Sequence, residues 1–164
     1  MALTTEQDLV DSLATKWLSE KKFVVTELTI PIIHQIYFDD YLEGRDYVRI
    51  DLAAFDQVTG EVVFVEAENG LYLQHPQIYL PFCHSLYILC PEDHSSFRDE
   101  QVGWSKSQGI GIIEKNKNGE LIFSLDPKSR KINPAVEAYV KSRLLKKFEK
   151  EMKSNVIIDI KEKA

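Results

Sequence analysis

Three carboxylates sit at the ends of two neighbouring apolar runs. Asp51 lies in Tyr47–Phe55 (YVRIDLAAF), and Glu66 and Glu68 lie in residues 61–68 (EVVFVEAE). Both runs are rich in β-branched and aromatic residues, with turn residues at 57–60 between them, so they read as a hairpin. A turn centred on Val58 and Thr59 sets Asp51 opposite Glu66 and Arg49 opposite Glu68. Side chains alternate faces along a strand. Arg49, Asp51, Glu66 and Glu68 then share one face with Ala53, Phe55, Val62 and Phe64. Ile50, Leu52, Ala54, Val63, Val65 and Ala67 take the other. The acids therefore stand at the rim of a core.

Like charges placed opposite one another are destabilising, and partly buried carboxylates raise each other's pKa. A divalent cation relieves both effects. Mg²⁺ (or Mn²⁺) prefers hard oxygen ligands and commonly takes one or two carboxylates plus substrate phosphate and water. Such an ion polarises a phosphoryl oxygen and activates water, which is the chemistry of phosphodiester hydrolysis. The competing reading is three surface acids at a strand end, with Arg49 paired to Glu68.

The positioning elements follow from periodicity. Residues 4–19 read as a helix, with Thr4 and Gln7 at capping-box spacing. Its apolar stripe is Leu9, Val10, Leu13, Trp17 and Leu18, and Glu6 falls on that inward stripe at the helix start. Residues 23–32 form a strand, and a loop follows at 39–45. A short helix is expected between Pro76 and Pro81, then a buried strand at 85–90 and a helix at 95–108. Strands at 109–114 and 120–124 turn at Asn118-Gly119. A last helix runs from Pro134 to about 153, striped by Val136, Val140, Leu144, Leu145 and Phe148. The fold class is α/β: one domain with a mixed central sheet flanked by helices. Residues 1–127 form the core, 128–153 a basic C-terminal helix packed on it, and 154–164 a tail.

The length of 164 residues suits one domain. Hydrophobic residues at 44% argue against disorder. No apolar run reaches the roughly 20 residues of a membrane-spanning helix. The opening MALTTEQDLV has neither the basic nor the apolar region of a secretory signal, so a cytoplasmic protein with no membrane partner is expected. Cys83 and Cys90 match neither a redox pair nor a zinc set. His34, His75, His84 and His94 lack metal-ligand spacing. The net charge of −6 argues against nucleic acid until it is resolved along the chain. Residues 1–127 carry 9 Lys+Arg against 21 Asp+Glu, whereas 128–153 carry 9 against 3. The basic block can meet a phosphate backbone or be a solvated helix face.

With those residues in place, the chain resembles the PD-(D/E)XK nuclease superfamily, the restriction-endonuclease-like fold. The resemblance covers roughly residues 5–125 and rests on Glu6 in the first helix, Asp51 on one strand and Glu66-Ala67-Glu68 on the next. The run from Trp104 to Glu114 also looks like the last helix-to-strand passage of archaeal-type members. The resemblance implies an αβββαβ core and metal-dependent hydrolysis of DNA. Asp51 and Glu66 would bind Mg²⁺ (or Mn²⁺), Ala67 would lend its carbonyl, and Glu6 would support the ion. Asp51, Glu66 and Glu68 would be the catalytic residues. Glu68 departs from the family's usual Lys, although some members use E-x-E; Arg49 or Lys106 would then supply the missing positive charge. Some members carry Gln and Tyr on the following helix near the substrate backbone, which points to Gln74 and Gln77 as substrate contacts. Related nucleases often cut duplexes as dimers, which leaves room for a homodimer. A nuclease-like fold without catalysis, binding DNA or protein, and a purely structural protein are the alternatives.

Overall fold

The computed structural model describes residues 5–31, 47–69, 76–92, 94 and 96–163, with only the backbone of Gln77 and of 154–163. The loop expected at 39–45, Gln74 and the Gln77 side chain lie outside the described residues.

Helix α1 spans Glu6–Ser19. Its cap lies one residue later than the spacing predicts. Thr5 Oγ accepts from the Asp8 amide at 3.1 Å, and Asp8 accepts from the Thr5 amide at 3.2 Å. The acidic partner also favours the positive end of the helix dipole, which Gln7 does not. Leu9, Val10, Leu13 and Trp17 are buried as the stripe requires. Leu18 is not, being 45% exposed.

Strands β1 (Phe23–Pro31), β2 (Tyr47–Phe55), β3 (Val62–Ala67), β4 (Ser85–Pro91), β5 (Gly111–Lys115) and β6 (Leu121–Leu125) form one mixed sheet in sequence order. β1–β2–β3 are antiparallel, β3–β4–β5 parallel, and β6 antiparallel. A 3₁₀ helix, Pro76–Phe82, and α2, Arg98–Gln108, serve the two parallel crossovers. Gly109 ends α2 at φ +73, and Gly111 opens β5 where a Cβ would lie 2.7 Å from the Tyr87 ring. Only glycine permits that approach.

α1 covers one face, packing on Val24, Leu52, Ala54, Val65, Leu89 and Ile113. The opposite face joins Ile30, Ile50, Phe64, Phe82 and Ile88 to Val140 and Leu144 of helix α3, Pro134–Lys163. Two expectations change here. Residues 154–163 continue the helix rather than forming a tail. Ile50 packs with Ala53 and Phe64, not with Leu52. The alternation therefore changes phase between Ile50 and Leu52. In β1 it changes between Val25 and Leu28, around Glu27, which has a positive φ of 53°.

The edge strand β1 is guarded by α3. Lys147 donates to the Thr26 and Glu27 carbonyls, Arg143 to Thr29 at 3.3 Å, and Tyr139 to Pro31 at 3.2 Å. Part of the basic block thus occupies groups that would otherwise template another strand. Cys83 and Cys90 are both buried thiols outside any disulfide, and burial pushes the Cys83 thiol up to about 12. Among the described residues no helix is long and apolar enough to cross a membrane.

Candidate active site

The site is built where β2 and β3 part. Their pairing has the expected register, from Phe55 opposite Val62 to Leu52 opposite Val65. Beyond Leu52 the next amide across, Ala67 N–H, is taken by the Asp51 carboxylate at 2.9 Å. The phase changes in β1 and β2 fall at the same level, since Thr26 pairs Leu52 and Leu28 pairs Ile50. Such irregularities re-aim side chains beside functional sites. Here they set Glu27 level with Asp51.

The Asp51 and Glu66 carboxyls are close enough to act on one another's ionisation. Neighbouring carboxylates favour protonation of the more strongly raised one, which is Glu66. Burial, then the charges of Asp51 and Glu68, push it up to about 8, while contact with the Tyr79 hydroxyl offsets part of the rise. Tyr79 also donates to the Arg49 carbonyl at 3.0 Å. Asp51 is raised by burial, opposed by the Ala67 amide, Arg49 and Glu66. Glu68 is raised by burial, Glu6 and Asp51, and its amide is anchored to the Leu89 carbonyl at 2.8 Å. Among the described residues, Glu66 Oε2 is buried with no hydrogen-bond partner. A buried acceptor without a donor costs about 1–3 kcal/mol.

Asp51, Glu66 and Glu68 act on one another through space, and Glu6, exposed at the start of α1 rather than on its inward stripe as expected, acts on both glutamates. Arg49 lies beside Asp51 but pairs with Glu27, at 2.7 Å, rather than with Glu68. Glu27 is the site residue that sequence reasoning missed. Its charge raises Asp51, and only the β1–β2 pairing reveals its position. Lys106 is exposed in the last turn of α2. The turn after it is tied by Lys128 N to Gly109 O, Arg130 N to His84 O and His84 N to Val62 O. That places it toward the Val62 end of β3, opposite the end that carries Glu66. Among the described residues no three His, Cys, Asp or Glu form a group that could hold a metal ion as they stand. The oxygens on offer are an opposed pair, Asp51 and Glu66, with Glu68 and Glu6 beyond. No family model, curated protein or solved structure matches the chain.

Proposed function

We propose that the chain is a divalent-cation-dependent nuclease of restriction-endonuclease-like fold, hydrolysing DNA phosphodiesters at Asp51 and Glu66. The observation that carries this reading is a half-buried pair of carboxylates, Asp51 and Glu66, each raised by burial, with Glu66 Oε2 buried and without a hydrogen-bond partner among the described residues. The donor set is all oxygen, which suits Mg²⁺ or Mn²⁺, and two carboxylates suffice when phosphate and water complete the shell. Asp51 and Glu66 would hold the ion, with the Ala67 carbonyl adjacent. The ion would polarise the phosphoryl oxygen and lower the pKa of water.

The remaining steps belong to the chain's own groups. To serve as a ligand Glu66 would have to release its proton to solvent. Glu68, raised by its neighbours, is placed to take a proton from the attacking water. Burial, with the charges of Glu6 and Asp51, keeps Glu68 raised. Arg49 offers a guanidinium to the phosphate, as the family's Lys would.

The test is cleavage of labelled single-stranded, duplex and branched DNA in Mg²⁺ or Mn²⁺, comparing wild type with Glu66→Gln. Wild type should cut, and the variant should cut at least about a hundredfold less with the same circular dichroism. A second reading, a nuclease-like fold that binds DNA without cutting it, is favoured by Glu68 standing where the family has Lys. DNA binding without cleavage in either metal selects it.

A further inference from the structure

The basic face of α3 and the edge of β1 enclose a groove of about 800 Å³. Arg143, Lys146, Lys147 and Lys150 line it at helical spacing, so four cations share one face of the helix. Tyr139 lies one turn earlier, with the Arg143 guanidinium 5.9 Å from its ring centre. The opposite wall is Glu27 and Thr29 of β1. Glu27 also pairs with Arg49 at 2.7 Å and sits level with Asp51 across the β1–β2 pairing, so the carboxylate site lies one strand inward of this wall. Residues 1–127 are strongly acidic and repel a polyanion, which leaves this face as its approach.

We propose that this groove is the track that takes a nucleic-acid backbone and leads it past Glu27 and Arg49 to Asp51. The proposal rests on the nuclease reading for the purpose of the track, not for its existence. Arg143 and Lys147 already hold β1 carbonyls and form the floor. Lys146 and Lys150 are exposed on the rim and face phosphate. Tyr139 and Arg143 supply a flat surface on which an unpaired base stacks. The groove is concave with a polar strand edge as its wall, which suits a strand of nucleic acid better than a lipid surface.

The experiment measures binding apart from cleavage. Anisotropy of a labelled single-stranded oligonucleotide and of its duplex is followed in Ca²⁺ across a salt series, for wild type, Lys146→Gln/Lys150→Gln and Lys146→Arg/Lys150→Arg. Expected are wild-type binding, a loss of about tenfold or more in the Gln variant, and retention in the Arg variant. The log–log salt slope should shrink by about 1.4 for the single strand, at roughly 0.7 per phosphate contact. Binding unchanged in the Gln variant overturns the track, as does no wild-type binding to either oligonucleotide. Lysine-dependent binding to phosphatidylserine vesicles but not to oligonucleotide also overturns it. Loss of binding in a Gln variant that melts with wild type supports it even where no DNA is cut, so failure of the nuclease reading is read separately.

Discussion

At Glu66 a proton and a cation would compete for the same oxygens. Folding raises its pKa from 4.5 to about 8, so the folded chain holds the proton more tightly than the unfolded one. The associated stability is complete below about pH 4.5 and is lost as pH rises through 8. The protein should lose roughly 10 °C in Tm between pH 5 and pH 8.5, and Glu66→Gln should flatten that part of the profile. Melting curves across pH check this. The carboxyl of Asp51 gives a second reading. Glu27 raises it, so Glu27→Gln should lower its pKa, as followed by carboxyl carbon NMR. No movement of the Asp51 titration would show that Glu27 does not act on it.

At the scale of the elements, the hairpin register was legible because turn residues and alternation agree on it. The register carries as far as Leu52 opposite Val65, whereas Glu6, expected on the inward stripe of α1, is exposed at the helix start, where its first turn is not yet covered by the sheet. The phase change at Asp51 was not legible. It depends on Glu27 adopting a left-handed backbone without the Gly or Asn that signals one. Glu27 also reaches the site through a pairing separated by many residues, which periodicity cannot reveal. Ser105 and Gln101 are buried polar residues that a stripe count of α2 misses. Two substitutions probe the frame. Gly111→Ala forces a Cβ into the Tyr87 ring and should cost about 2 kcal/mol or more in denaturant unfolding. Lys147→Ala leaves the Thr26 and Glu27 carbonyls without their donor. It should cost about 1 kcal/mol and increase association in sedimentation as the β1 edge opens.

For the whole molecule the net charge of −6 conceals a division. The acidic body contains the carboxylate site, while the basic residues gather on the helix that crosses the open edge of the sheet. Part of that basic charge is structural, holding β1 in place, and Lys146 and Lys150 are exposed on the same helix. The central claim is that Asp51 and Glu66 hold a proton in place of a divalent cation. Calorimetric titration of Mn²⁺ at pH 7, repeated in two buffers of different ionisation enthalpy, tests it most directly. Wild type should bind Mn²⁺ with release of about one proton, and Asp51→Asn and Glu66→Gln should show neither binding nor proton release. Absence of Mn²⁺ binding to wild type, or binding unchanged in both variants, would contradict it.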